Sequence, residues 1–173
     1  MLYAAIGLIA SFVVHALTFF GVTLGGNPLF VTLHVAIFPL WFIVVTIAMK
    51  TMAGMSRKDS WKAALSGCPA WMRYMTNGFF IYALVNFLIF FLTSMANAPH
   101  GVKLDTPSPE IWRGFSGHWM AFYSAGLAIA TTAYRRGTDN WGAQCPNGHA
   151  VAVSDNYCPV CGGRLDKTKM SLG

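Results

Sequence analysis

The chain has 173 residues, of which 55% are hydrophobic and 14% aromatic, whereas only 10% are charged. This composition excludes an ordinary soluble domain, because such domains carry about 25% charged residues. The formal net charge is +6, but the basic residues lie beside the hydrophobic blocks, which is typical of membrane topology signals and gives no reason to expect a nucleic-acid partner.

Four apolar blocks are each long enough to cross a bilayer as a helix. They cover about residues 2–24, 28–49, 74–95 and 112–134. The first block has no basic n-region and no cleavage site, so it is predicted to be a helix of the mature protein rather than a signal peptide. A breaker cluster at 25–28 predicts a tight hairpin to the second block, in which Pro39 predicts a kink.

The connections between the blocks differ in charge. Residues 50–73 contain one acid, Asp59, and five basic residues: Lys50, Arg57, Lys58, Lys62 and Arg73. Within them, Ser56 could cap a short helix on the membrane surface. Residues 96–111 contain three prolines and no structural period, which indicates an external loop. Because Arg135 and Arg136 follow the fourth block, the positive-inside bias predicts four spans and cytosolic termini.

Three cysteines and a histidine stand near the C-terminus in two short groups, Cys145-Pro-Asn-Gly-His149 and Cys158-Pro-Val-Cys161. Two ligands from each of two tight turns suit a tetrahedral zinc ion. We therefore predict that Cys145, His149, Cys158 and Cys161 bind zinc, with Cys68 as the alternative to His149; redox-active or merely buried thiols are the other interpretation. A thiolate metal site belongs in a reducing compartment, which independently predicts a cytosolic C-terminus.

The two groups resemble the zinc-ribbon tails of many prokaryotic proteins, here spelled Cys-Pro-Asn-Gly-His and Tyr-Cys-Pro-Val-Cys-Gly. The resemblance covers about a tenth of the chain. It implies a metal-bound interaction module and no activity. A segment of this size buries too little surface to fold alone, so the metal must contribute to its folding, by about 10–16 kcal/mol in comparable peptides.

Polar residues inside the apolar blocks are further functional candidates, because ionisable groups are costly within a membrane. His15, His34 and His118 fall in three different blocks, at ~9–13 Å below the outer ends of the helices. The best pair, His34 and His118, could ligate a b-type haem, or the three could bind a quinone or a transition metal. The simplest interpretation is that each histidine hydrogen-bonds to a neighbouring helix. Asn86 and the small residues around Gly117 are predicted to hold helices together.

These patterns predict an all-α integral membrane protein with a four-helix transmembrane bundle at 1–136, a linker at 137–144 and a cytosolic zinc ribbon and tail at 145–173. The blocks contain no Asp or Glu, and the chain has no phosphate-binding loop or nucleophile elbow, which disfavours an enzyme. We expect a non-enzymatic accessory or scaffolding subunit in the bacterial inner (cytoplasmic) membrane, surrounded by lipid, whose ribbon docks a protein partner. A membrane redox protein that holds haem or quinone at its histidines is the alternative.

Overall fold

The computed structural model describes residues 1–51, 57–96, 108–138, 143–152, 155–158, 160–166 and 171–172. Within these ranges the chain is mainly helical, with short strands near its C-terminus. The elements are α1 (Leu2–Thr18), α2 (Gly26–Val35), α3 (Ile37–Thr51), α4 (Arg57–Ala64), α5 (Ala70–Ala96), α6 (Pro109–Thr138), β1 (Ala143–Gln144), β2 (Ala150–Val151) and β3 (Ser171–Leu172). The chain forms two compact units: the first unit is Met1–Trp41 with Tyr74–Gly126, and the second unit is Phe42–Arg73 with Leu127–Gly173.

Two helical segments in the described ranges are long and apolar enough to cross a membrane. They are Gly26–Ile47, with 22 residues, and Ala70–Thr93, with 24 residues, and they correspond to the second and third predicted spans. Helix α1 is apolar but has only 17 residues, a length of about 26 Å. Helix α6 is long enough, with 30 residues, but its polar side chains lower its mean hydropathy, so it is not among these two candidate spans.

Helix α6 is buried along much of its length in the first unit, and its neighbours approach it at small residues. A Cβ on Gly7 of α1 would overlap the ring of Tyr123, and a Cβ on Gly117 would lie 2.8 Å from Nδ2 of Asn86. Asn86 donates this amide to the carbonyl oxygen of Arg113 at 2.8 Å, so it joins two helices as predicted, and its partner is α6. Close approach at small residues is the usual way in which membrane helices pack.

The outer surface of the first unit is apolar. Helix α5 exposes a broad set of large side chains: Phe80, Ile81, Leu84, Val85, Leu88, Ile89 and Leu92. On α1 the buried residues recur every three or four positions, at Ala4, Gly7, Ser11, Val14, His15 and Thr18, so one face of the helix packs and the opposite face stays apolar and exposed. Exposed apolar surface of this extent suits contact with lipid.

The second apolar segment is interrupted at Ala36, between α2 and α3. Pro39 follows three residues later, and because proline has no N–H it cannot donate to the carbonyl four residues before it. Two tyrosines donate hydrogen bonds to carbonyl oxygens at this break, Tyr123 to Leu33 at 3.2 Å and Tyr3 to Ala36. Side-chain donors of this kind make a broken helix tolerable in a membrane. The regular helix is thus interrupted three residues before Pro39, and the kink at Pro39 itself stays a prediction.

The second unit contains α4 and the C-terminal strands. Helix α4 corresponds to the predicted surface helix, although its predicted cap Ser56 lies outside the described residues. Strand β1 pairs antiparallel with both β2 and β3, which gives the strand order β2-β1-β3. The predicted external loop and linker lie largely outside the described residues, at 97–107 and 139–142.

Candidate metal centre

The first two predicted ligands are held by the hairpin of β1 and β2. The antiparallel register of this hairpin places Cys145 and His149 at the two ends of the connecting turn. The N–H of Gly148 donates to the carbonyl oxygen of Cys145 at 2.8 Å, and the N–H of Cys145 donates to that of His149 at 3.0 Å. Gly148 has a φ of +78°, which residues with a Cβ rarely adopt, so glycine at this position allows the turn to bring the two side chains together.

The other two ligands stand on a second tight turn. The N–H of Gly162 donates to the carbonyl oxygen of Cys158 at 2.9 Å, and the N–H of Cys158 donates to that of Gly163 at 2.7 Å. The N–H of Val160 lies 3.4 Å from Sγ of Cys158. A backbone donor aimed at sulfur stabilises the thiolate form, which is the form that binds metals.

The four side chains converge on one point. Their ligand atoms, one from each residue, all lie within 4.8 Å of one another. Sγ of Cys145 is 3.5 Å from Nδ1 of His149 and 4.0 Å from Sγ of Cys161, and Sγ of Cys158 is 3.8 Å from the same Nδ1. A tetrahedral zinc ion with ordinary bond lengths requires ~3.8 Å between two sulfurs and ~3.6 Å between sulfur and nitrogen. The group can therefore hold a tetrahedral metal ion such as zinc.

The two cysteines of the second turn differ in proton affinity. Burial raises the pKa of Cys158 to about 11. Burial also acts to raise the pKa of Cys161, but hydrogen bonds from the backbone of Gly163 and the side chain of His149 outweigh it and lower this pKa to about 6. Because the thiolate is the form that ligates metals, a divalent cation at this centre would displace the proton from Cys158.

Only a small core supports this centre. In the described part of the C-terminal segment, the buried cluster consists of Ala143, Cys145, Val151, Cys158 and Leu165, with Cys161 packed against it. Because two of these five are ligands themselves, little apolar surface is buried apart from the metal site. A metal ion would therefore supply much of the stability of this segment.

Cys68, the alternative fourth ligand, is not a member of the group. It is buried in the second unit, and its Sγ donates to the carbonyl oxygen of Leu65 at 3.2 Å. Burial raises the pKa of Cys68, so this side chain is a neutral thiol at physiological pH. His149 is the residue that the structure places beside the other three ligands.

A buried carboxylate, which the sequence analysis did not single out, fastens the ribbon (residues 143–166) to the loop after α4. Asp155 is fully buried. Its Oδ1 accepts a hydrogen bond from the hydroxyl of Ser66 at 3.0 Å, and its Oδ2 accepts one from the N–H of Ala152 at 3.3 Å. Asn156 adds two more bonds to this contact, because its backbone N–H and its side-chain amide both donate to the carbonyl oxygen of Ser66.

Two arginines add contacts around the loop after α4, one to the loop itself and one to the ribbon. Arg135 donates to the carbonyl oxygen of Gly67 at 3.3 Å. The guanidinium of Arg73 lies over the ring of Tyr157, 5.9 Å from its centroid, at a distance where a cation attracts an aromatic face. The metal-binding turns are therefore anchored to the loop after α4 and do not form a separate module.

The three histidines of the apolar blocks have separate partners. His15 is engaged at both ring nitrogens, because Nδ1 lies 2.7 Å from the hydroxyl of Ser116 and Nε2 contacts the hydroxyl of Tyr82. Nδ1 of His118 lies 3.2 Å from the backbone carbonyl one turn earlier, and its ring packs edge-on against Phe87. The contacts of His15 agree with the simplest interpretation, a hydrogen bond to a neighbouring helix, whereas the bond of His118 is to its own helix α6.

His34 has a different environment. Its Nδ1 accepts a hydrogen bond from the indole of Trp119 at 3.2 Å, and the rings of Phe38 and Phe115 pack edge-on against it. Among the hydrogen bonds and ring contacts of the described residues, none joins His34 to His15 or His118, and haem ligation by His34 and His118 stays a prediction.

Comparisons with protein-family models, with curated proteins and with solved structures find no match for this chain. The metal centre and its attachments are then the features from which a function can be inferred.

Proposed function

We propose that this protein is a non-enzymatic accessory or scaffolding subunit of the bacterial inner membrane, with four spans, both termini in the cytosol and a zinc ribbon that docks a protein partner. The observation that carries the proposal is the group of four protein ligands that can hold one tetrahedral ion. A metal with four protein ligands has no open position for a substrate and acts structurally. The likeness to prokaryotic zinc-ribbon tails favours zinc and an interaction role.

The contact between Ser66 and Asp155 supports the four-span topology. These residues lie 89 positions apart and are joined by a hydrogen bond, so both must lie on the same side of the membrane. The chain between them must therefore cross an even number of times. Because α5 contains a candidate span, α6 is the second crossing that returns the chain to the first side.

The environment of the polar side chains on α6 is consistent with this crossing. Ser116 bonds to His15 and Trp119 bonds to His34, so these polar groups face other helices and not lipid. A hydropathy score does not detect hydrogen bonds between polar side chains of neighbouring helices, because it counts each polar residue as if it were exposed. At 30 residues, α6 is about 45 Å long and exceeds the hydrocarbon core of about 30 Å.

The outer tip of the ribbon supports a docking role. The base of the ribbon is occupied by Ser66 and its neighbours, whereas Val160, between two metal ligands, has 54% of its surface exposed. Pro146, Asn147 and Gly148 of the other turn are exposed as well. An apolar side chain on a rigid, metal-held turn is a suitable anchor for a protein partner, because little conformational entropy is lost on binding.

Metal analysis of the purified chain tests the ribbon. We expect about one zinc per chain, lost when Cys158→Ser and Cys161→Ser are combined. Cys68→Ser is the matched control, because Cys68 lies outside the ligand group, and it should retain the metal. Iron in place of zinc, or zinc that survives the double substitution, would refute the assignment.

Co-purification in a gentle detergent tests docking. If a polypeptide accompanies the wild-type chain, Val160→Asp should release it while the zinc content stays unchanged, because a buried unpaired charge opposes binding. Val22→Asp introduces the same charge at another exposed valine, in the first unit, and should have no effect. Retention of the polypeptide by Val160→Asp would show that the ribbon tip is not the docking surface.

A further inference from the structure

A groove opens on the first unit where the second apolar segment is interrupted. It has a volume of about 360 Å³ and is lined by His34, Ile37, Phe38, Trp41 and Phe122. The first four come from both sides of the break at Ala36, and Phe122 comes from α6. Tyr3 and Tyr123 donate to the carbonyl oxygens of Ala36 and Leu33, so side-chain hydrogen bonds hold the backbone beside the groove.

His34 presents a hydrogen-bond donor to this groove. The indole N–H of Trp119 can only donate, so the Nδ1 that it contacts must be the unprotonated nitrogen. A neutral imidazole then carries its proton on Nε2, and none of the hydrogen bonds formed by the described residues uses this N–H. Phe30 lies nearly parallel to the imidazole, with an interplanar angle of 8°, which helps to fix the direction of the donor.

The rest of the groove is aromatic and uncharged. Trp41 and Phe122 meet edge to face, with ring centroids 5.2 Å apart, and Phe38 packs against His34. Aromatic walls of this kind bind flat rings, because stacked and edge-on contacts add to the burial of apolar surface. In the four-span topology His34 lies ~12 Å below the outer end of α2, at eight residues of 1.5 Å each, a depth that lipid-soluble molecules reach.

We propose that this groove binds the head group of a quinone, a flat lipid-soluble ring whose carbonyl oxygen accepts the hydrogen bond from Nε2 of His34. The volume falls at the lower end of the range for ligand cavities, about 300–1,000 Å³, which suits a single substituted ring. A lipid acyl chain fits the groove less well, because it would leave the buried donor unpaired. This site requires neither the ribbon nor its metal, and only its depth in the membrane rests on the four-span arrangement of the proposed function.

Tryptophan fluorescence of the full-length chain in detergent, titrated with decylubiquinone, tests the site. We expect saturable quenching, weakened about tenfold by His34→Phe, which is the effect of losing one hydrogen bond to a partly buried ligand. His34→Gln, whose amide can accept from Trp119 and still donate, should restore most of the affinity. His118→Phe is the control, because His118 does not line the groove, and it should bind as the wild type does.

Two further measurements separate a quinone site from other uses of the groove. Phe122→Ala removes one wall without changing the bond between His34 and Trp119, so it should also weaken binding in a protein that is correctly folded. Decylbenzene, which has the tail but no carbonyl, should bind far more weakly than the quinone. Equal binding of decylbenzene, insensitivity to His34→Phe, or displacement of the quinone by added diacyl phospholipid would each overturn the proposal.

Discussion

A carboxylate is costly to remove from water, and it is stable in a protein interior only when its oxygens accept hydrogen bonds. Asp155 meets this requirement through two segments that are far apart in sequence, since one oxygen accepts from Ser66 and the other from Ala152. The carboxylate therefore couples the fold of the ribbon to the conformation of the loop after α4.

Replacing this carboxylate should loosen the loop. For Asp155→Ala we expect the ribbon–loop contact to lose about 1.5–3 kcal/mol, the usual value of hydrogen bonds to a charged group. Hydrogen–deuterium exchange measures this, because the amides of 63–67 should exchange faster. Glu110→Ala, at an exposed acid of the first unit, is the control and should leave exchange of 63–67 unchanged; unaltered protection in Asp155→Ala would mean that other contacts hold the loop.

The metal ligands and Asp155 show what can be predicted for single residues. Cys145, His149, Cys158 and Cys161 could be identified because their chemistry and spacing are local in the sequence, and the structure brings all four together. Asp155 could not be identified, because its partner Ser66 lies 89 residues away. In the sequence it is only part of a turn signal.

The helices of the first unit depend on glycine where they approach one another. Gly7 of α1 faces the ring of Tyr123, with no room for a Cβ. Gly78 of α5 has open space around the same position. The two glycines therefore form a natural pair for testing whether α1 packs on α6.

Alanine substitutions at these two positions should have opposite effects. Gly7→Ala forces the ring of Tyr123 to move and should destabilise the first unit by about 1–3 kcal/mol. Gly78→Ala adds only helix propensity and should be neutral or stabilise by up to about 1 kcal/mol. Unfolding in mixed detergent micelles, followed by circular dichroism, compares them; equal stability of the two variants would contradict the packing of α1 against Tyr123.

The ends of the elements were harder to predict than their presence. Helix α1 ends at Thr18 and not near residue 24, because Gly21 has a φ of +72° and the N–H of Val22 donates to the carbonyl oxygen of Leu17. Together with the bond from Gly21 to Thr18, this is a Schellman ending. A glycine followed by an apolar residue is a local signal, but it is hidden inside a continuous apolar block.

At the scale of the whole molecule, the proposed arrangement in a membrane depends on how many helices cross it, and this number would determine on which side the metal centre lies. By length and composition, the described residues contain two candidate spans. This criterion scores each residue alone and takes no account of polar side chains that pair with one another. The hydrogen bond between Ser66 and Asp155 adds information that composition does not contain, because two residues in contact must lie on the same side of a membrane. Two crossings by α2–α3 and α5 alone would leave Ser66 and the ribbon on opposite sides, whereas a third crossing by α6 returns them to the same side.

Labelling of single cysteines in intact cells distinguishes these topologies. In a background in which all four native cysteines are replaced by serine, Ser108→Cys and Asn27→Cys should react with a membrane-impermeant maleimide, because both positions are exposed and lie outside the cell in the four-span arrangement. A cysteine appended after Gly173 should react only after the membrane is permeabilised. If the Ser108→Cys and appended cysteines label from the same side, α6 does not cross. If Asn27→Cys is protected in intact cells while Ser108→Cys reacts, the two positions lie on opposite sides, and either α2–α3 or α5 does not cross.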